Sequence, residues 1–398
     1  MKLAYVTDIE GQWSKLSSFA ADNPLVSLDP EGRLSVAPGA RFVFGGDAVD
    51  RGPEARRLIH TLLEAKRRQP EQVVLLAGNR DINKMRLVTE LDGSPPASTP
   101  EPVRRGPRAA LLRWIFENTM SAPHAFAHRA TELERVGAMH DDESIAQSFL
   151  DDLSPTGELT EYLCACQLVH REENTLFVHG GITSESLGYV PEAARRFDLL
   201  EGWAQALNAF YVAQCAAYRE RKLAGYGALV AYQAPLPGTR LNQASVVYAR
   251  PTDELGNPIL PAPSVVGALR HAGIERVVLG HTPSGDSPAV LRDGAGFELL
   301  LADNSHGRIE PGSQLFLGED PRIVGASVLD DGERVEVSTR LADEGPSSPL
   351  GLRDAQGRLV KGRLQRGEYL VFRGYSGYRS EQSAVQERAL PRPLGPPR

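Results

Sequence analysis

The sequence predicts an α/β fold, and three observations predict it. Short apolar runs of strand type recur over the first three hundred residues, and five of them run into an Asp, Asn or His beside a turn. Stretches with apolar residues at helical spacing lie between several of these runs. From about residue 288 onward the pattern changes to closely spaced strand-like segments. Short continuous apolar runs suit strands buried on both faces, as in a parallel sheet.

Residues 3–6 form the first such strand, which leads to Asp8. Residues 25–28 and 33–36 flank the turn sequence Asp29-Pro30-Glu31-Gly32 and read as a hairpin. Residues 41–44 form the next strand and run into Gly45-Gly46-Asp47. Ala55, Leu58, Ile59, Leu62 and Leu63 then keep helical spacing over 53–68, with Pro53 where a first turn tolerates proline. Residues 72–77 are a third strand, ending at Gly78-Asn79. Five prolines between 92 and 107 mark a loop or disordered connector. Residues 108–170 read as a helical insertion, with Leu111, Leu112, Ile115 and Phe116 on one face. A fourth strand, 175–178, runs into His179, and helical spacing returns at about 198–224. Residues 235–263 are rich in Pro and Gly and read as surface loops. A short helix at 264–271 precedes the fifth strand, 276–279, which runs into Gly280-His281.

Strand-like stretches follow at 288–291, 297–302, 323–329 and 333–338. After a polar, Pro-containing linker at 341–350, two more lie near 358–363 and 368–373. This organisation gives one domain over 1–340, with insertions at about 92–170 and 182–262. Residues 341–398 form a C-terminal extension, a β hairpin plus a loose Pro-rich tail.

Composition narrows the function classes. The chain of 398 residues can hold one large domain with insertions, or two domains. Hydrophobic content of 41% and charged content of 24% are ordinary for a soluble globular protein. A net charge of -7 gives no general basic footprint and argues against a nucleic-acid partner. Three cysteines do not make a disulfide framework, and Cys164 and Cys166 read as small thiols on a helix. The N-terminus starts on an apolar strand and lacks the features of a signal peptide. With no apolar run long enough to span a bilayer, the expectation is no membrane partner and, by default, a cytoplasmic location.

The chemistry lies in five islands: Asp8-Ile9-Glu10, Gly46-Asp47-Ala48-Val49-Asp50-Arg51-Gly52, Gly78-Asn79-Arg80-Asp81, His179-Gly180-Gly181 and Gly280-His281-Thr282. Each supplies oxygen or imidazole ligands of the kind divalent metals take. In open α/β sheets chemistry collects at the carboxyl ends of strands, so ligands far apart in sequence can converge. A two-metal centre needs inward carboxylates, imidazoles or amides, with one carboxylate shared. It lowers the pKa of a bridging water, so that hydroxide is present near neutral pH.

These islands resemble the calcineurin-like metallophosphoesterase superfamily, and Gly-Asp-x-x-Asp-Arg-Gly resembles its phosphoprotein phosphatase branch. The resemblance covers the motifs and strand order across about residues 1–310. It implies a two-sheet α/β/β/α sandwich and a metal-dependent phosphatase or phosphoesterase. It also implies Asp8 on the first metal, Asp47 bridging, and Asn79, His179 and His281 on the second. Arg51 would hold the substrate phosphate through its planar fork.

Two residues depart from the family pattern. Glu10 stands where the family has His. As a ligand it gives the first metal three carboxylates, which favours Mn²⁺ or Mg²⁺ there, while iron or zinc remains compatible with the second site. If Glu10 points away, the first site is weak or empty. Arg80 stands where the family has the His that serves as general acid. Arginine stays protonated and cannot supply that proton, so Asp50 is free to pair with Arg80. Asp50, Arg51 and Arg80 are then the candidate catalytic set, with Arg51 and Arg80 binding substrate. Loss of a general acid costs about 10²–10⁴-fold, most for alkyl leaving groups. His306, in Asp303-Asn304-Ser305-His306, is the first candidate for a substitute acid. The expected partner is a phosphorylated small molecule or nucleotide, enclosed by the insertions. A phosphoprotein substrate and a non-catalytic metal-binding regulatory descendant are the alternatives.

Overall fold

The computed structural model describes residues 2–345, 348–375 and 379–391, with the backbone alone at 223 and 224. In chain order the strands are β1 (Leu3–Val6), β2 (Val26–Leu28), β3 (Leu34–Val36), β4 (Arg41–Phe44), β5 (Val73–Leu75), β6 (Val169–Glu172), β7 (Thr175–Val178), β8 (Arg276–Leu279), β9 (Ala289–Arg292) and β10 (Glu298–Leu301). They continue with β11 (Gln314–Phe316), β12 (Arg322–Val328), β13 (Arg334–Arg340), β14 (Leu359–Arg363), β15 (Tyr369–Tyr375) and β16 (Arg379–Val385). The expected α/β class is what the chain adopts.

Two sheets carry the site. One has the order β1-β4-β5, with both pairings parallel. The other has the order β6-β7-β8-β10-β9, parallel from β7 through β8 to β10 and antiparallel at its two outer pairs. A parallel bridge between Leu76 and Gln167 joins the end of β5 to the chain entering β6.

Side chains of these strands alternate between two apolar layers, as the period of two requires. Ala4, Phe42, Phe44, Leu75, Val178 and Leu279 face helices, including Trp13–Asp22, Ala55–Arg68 and Leu200–Arg219. Leu3, Tyr5, Val43, Val74, Phe177 and Val278 face the opposite way. That second layer is closed by residues of the antiparallel sheets β11-β12-β13 and β14-β15-β16, among them Leu315, Ile323, Val337 and Leu370. Strand β13 alternates exposed and buried residues along its whole length, as a strand with one covered face must.

The insertion after residue 107 contains the helices Arg108–Thr119, Ala125–Arg135, Asp142–Asp152 and Glu158–Ala165. Its first helix buries Leu111, Leu112, Ile115 and Phe116, the face read from the sequence. The chain turns to strand at β6, where continued helix was expected. The segment after 341 forms three strands where two were expected. Strand β16 is mostly polar, so its sequence carries no strand signal of its own. Of the tail expected to be loose, residues 392–398 lie outside the described residues. No helix among the described residues is long and apolar enough to cross a membrane.

Candidate metal centre and phosphate site

Each site loop leaves the carboxyl end of a strand. Asp8 follows β1, Asp47 follows β4, Asn79 follows β5, His179 follows β7 and His281 follows β8. Sharp turns aim the side chains inward. Asp8 (φ 52°), Glu10 (φ 51°), Asp47 (φ 56°), Asp50 (φ 111°) and His281 (φ 55°) all hold positive φ, which non-glycine residues rarely adopt. Strain of this kind gathers at functional sites and persists only where the surroundings enforce it.

Here the enforcement is visible. Asp8 N–H donates to Gly46 O (3.0 Å) and Glu10 N–H to Asp47 O (2.9 Å). Glu10 O accepts from Arg51 N–H (2.9 Å) and Gly52 N–H (2.6 Å). The loops pass so closely that a Cβ on Gly52 would lie 2.2 Å from Gly11 C, and one on Gly78 would lie 2.1 Å from Asp47 Oδ1. Only glycine fits either position. Buried Asp81 braces the β4 and β5 loops, accepting from the N–H groups of Asp47 (2.9 Å), Ala48 (2.8 Å) and Gly78 (2.9 Å).

Ligand atoms of Asp47, His179 and His281 lie within 4.8 Å of one another. His179 Nδ1–H donates to Gly45 O (2.8 Å), leaving Nε2 to face Asp47 Oδ1 (3.3 Å) and Asn79 Oδ1 (3.2 Å). A backbone carbonyl on the far nitrogen is the usual way to orient a metal-ligating imidazole. Burial opposes a charge on His179, but Asp47 outweighs it and raises the imidazole to about 10. Asp47 is held below the usual carboxylate range, because His179 and Arg80 offset the effect of its burial. His281 is 5% exposed, and its Nε2 is buried without a hydrogen-bond partner. Burial, Arg250 and His179 push it well below its ordinary range, so it presents a lone pair. A neutral nitrogen, a carboxylate and an amide oxygen converging on one point are a donor set that fits a divalent cation.

Asp8 lies alongside, accepting from Thr7 Oγ1 (2.6 Å) and from the His281 N–H (3.2 Å to each oxygen). Burial and then Asp303 push its carboxyl well up.

Glu10 is placed differently. Its carboxylate takes Arg80 Nε at 2.5 Å and Arg51 Nη1 at 3.3 Å, and burial lifts it to about 7 against the pull of Arg80. Arg80 also lies 3.6 Å from Asp50, the pairing expected from the sequence, and donates to Met120 O (3.2 Å). Burial opposes its charge, yet Glu10, Asp50 and Asp47 raise its pKa further.

His306 Nε2 lies 2.9 Å from Arg51 Nη1. Arginine can only donate, so this nitrogen accepts. Burial and Arg51 bring the ring down to about 4, so at neutral pH His306 holds Arg51 in place and carries no proton on Nε2.

Two participants escaped the sequence reading. Buried Lys84 donates to Asp50 Oδ2 (2.6 Å) and Arg80 O (3.0 Å). It lies four residues after Arg80, the spacing that puts two residues on one helix face, so the signal existed. Asp303, 2% exposed, sits just past β10. Its signal was the expected strand at 297–302.

Asp8, Glu10, Asp47, Arg51, Asn79 and Arg80, with His281, Asp303 and His306, open on one cavity of about 490 Å³. Its far walls are Met120–His124 of the helical insertion and Gln233–Pro235, Tyr248 and Arg250 of the later one.

No protein-family model matches the chain, and no curated protein does. Among solved structures it is similar to a cold-active protein-tyrosine phosphatase of a psychrophilic Shewanella species, at 16% identity over 84% of this chain and 79% of that one, with a TM-score of 0.47. It is also similar to a Saccharomyces cerevisiae protein serine/threonine phosphatase, at 13% identity over 85% and 79% of the two chains, with a TM-score of 0.36. A metallophosphoesterase from Sphaerobacter thermophilus matches at 13% identity over 86% and 91%, with a TM-score of 0.29. Similarity this distant decides nothing about the reaction, and the chemistry of the centre stands on its own geometry.

Proposed function

We propose that the chain is a metal-dependent phosphatase or phosphoesterase acting on a small phosphorylated molecule or a nucleotide. One observation carries this reading. In a convergent Asp47–His179–His281 group with a buried imidazole nitrogen left unpartnered, Asp47 and His281 line the same cavity as two arginines. Asp47, Asn79, His179 and His281 would hold one divalent ion, and Asp8 with Asp47 the other, Mn²⁺ or Mg²⁺ suiting the oxygen-rich side. When bound, the ions supply Lewis-acid activation of the phosphoryl group and of water.

The remaining residues position and screen. Arg51 and Arg80 offer fixed positive charge to the phosphate oxygens. Glu10 draws the two guanidinium groups together, and His306 fixes Arg51 from the other side. Lys84 neutralises Asp50 behind Arg80. A cavity of about 490 Å³ exceeds what a bare phosphate needs and suits a drug-sized leaving group. Its far walls come from the insertions, which is why a small substrate is favoured over a phosphoprotein.

The test uses protein stripped of metal and reloaded with Mn²⁺, Mg²⁺, Zn²⁺ or Fe²⁺. Phosphate release is measured from p-nitrophenyl phosphate, phosphoserine and phosphotyrosine peptides, and dinucleoside polyphosphates. Asp47→Asn should lower kcat/KM by at least ~10²-fold, the scale of removing one electrostatic element of such a site. Absence of turnover with every metal, or an Asp47→Asn variant as active as the parent, would remove the reading and leave the non-catalytic alternative.

A further inference from the structure

We propose that Asp303 is a ligand of the first metal and takes the place that Glu10 vacates. This rests on the metal-dependent reading above and goes beyond the ligand set drawn from the five islands.

Topology supplies the first argument. Strand β10 pairs in parallel with β8, with Leu301 opposite Leu279. The hydrogen bond from Ala302 N–H to Leu279 O (2.9 Å) continues that ladder one residue further. Asp303 therefore comes level with His281, whose N–H is already bonded to both oxygens of Asp8. It is a sixth strand end carrying an acidic group into the same cavity.

Charge supplies the second. Within 4 Å of neither the Asp8 nor the Asp303 carboxylate is there a Lys, Arg or His side-chain nitrogen among the described residues. Asp8 accepts only from Thr7 and a backbone N–H, and Asp303 Oδ1 accepts from Ser305 N–H (2.8 Å). The arginines that might serve them are engaged by Glu10 and Asp50. Two buried carboxylates at neighbouring strand ends, neither in a direct ion pair, are costly, and a divalent ion resolves that cost directly.

His281 Nε2, buried and unpartnered, points into this same centre and calls for a ligand there.

Glu10 cannot serve two masters. With Oε1 on Arg80 and Oε2 near Arg51, it organises the phosphate-binding arginines and leaves the metal to Asp303.

The experiment counts metal directly. Stripped protein is reloaded with Mn²⁺, dialysed, and assayed for Mn per chain by elemental analysis. The parent and Glu10→Gln should each hold two, and Asp303→Asn one. Asp303→Cys gives a second, spectroscopic readout. Loaded with Co²⁺, it should show near-ultraviolet thiolate-to-cobalt charge transfer that the parent lacks. An Asp303→Asn protein that keeps two Mn²⁺, a Glu10→Gln protein that loses one, or a cobalt-loaded Asp303→Cys protein without the band would overturn the assignment. If Asp303→Asn does not fold, the cobalt band decides. Failure of the functional reading looks different: two Mn²⁺ bound, yet no phosphate released from any substrate.

Discussion

Arg80 lies at the centre of what this site can and cannot do. Its Nε is 2.5 Å from Glu10 and its Nη1 is held between Asp50 and Met120 O, so the guanidinium is fixed and permanently charged. It can stabilise a phosphoryl group but cannot hand a proton to a departing alkoxide. His306 offers no proton from Nε2, which accepts from Arg51. Under the proposed function the leaving group would therefore depart with little help, as phenolate or phosphate can. We expect kcat/KM for p-nitrophenyl phosphate to exceed that for a phosphoserine peptide by about 10²-fold or more, the scale of a missing general acid. Arg80→His should narrow that ratio by raising phosphoserine turnover relative to the aryl ester. A variant that lowers both equally would mean that Arg80 acts only in binding. Of this network, only the pairing of Arg80 with Asp50 was legible from the sequence. The motif placed Glu10 and Arg80 near the centre, but their mutual pairing depends on two loops meeting in space.

At the scale of elements, the loops after β4 and β5 are held as one unit by Asp81. Its two oxygens accept three backbone N–H groups, two from the Asp47 loop and one from Gly78. Asp81→Ala would leave three buried donors unpaired, each costing about 1–3 kcal/mol if nothing relaxes. The expected outcome is a clearly lower melting temperature together with weaker Mn²⁺ binding, since Asp47 loses its support. Asp81→Asn, which keeps one accepting oxygen, should fall between the two. Calorimetry and a Mn²⁺ titration check both, and unchanged Mn²⁺ affinity in a folded Asp81→Ala protein would refute the bracing role. The strands that carry this unit were readable because they are buried on both faces and apolar in nearly every position. Residues 3–6, 41–44, 175–178 and 276–279 form strands with those bounds. Strands β6, β11 and β16 were not readable. They are polar or only three residues long, and their pairing comes from neighbours rather than from their own pattern. Lys84 was hidden for a related reason: its role arises from burial against Asp50, and charge on a helix ordinarily reads as solvated surface.

Across the whole molecule, the C-terminal sheet reaches back to the candidate metal centre through one buried lysine. Lys361 of β14 is fully buried over the Phe372 ring at 4.7 Å, and its ammonium donates to Ser284 O, three residues after His281. Burial lowers Lys361 from its ordinary 10.5 to about 7, although Asp286 favours the charge. The sign of the linkage follows. Between about pH 7 and 10.5 the unfolded chain binds the Lys361 proton and the folded chain does not, so this residue makes stability rise with pH across that window. Below pH 7 both states are protonated, and its unfavourable contribution is constant. Lys361→Met keeps the bulk and removes the titration. In metal-free protein, the melting temperature of Lys361→Met minus that of the parent should be largest below pH 7 and should shrink steadily toward pH 10. The free-energy change underlying that trend is on the order of a few kcal/mol. Taking the difference cancels the other titrating groups, which both proteins share. A difference that stays flat with pH would show that Lys361 is not buried as a neutral amine. Because Ser284 loses its donor in the variant, the His281 loop should also loosen, and Mn²⁺ should bind more weakly at every pH, linking a segment remote in sequence to the cation site.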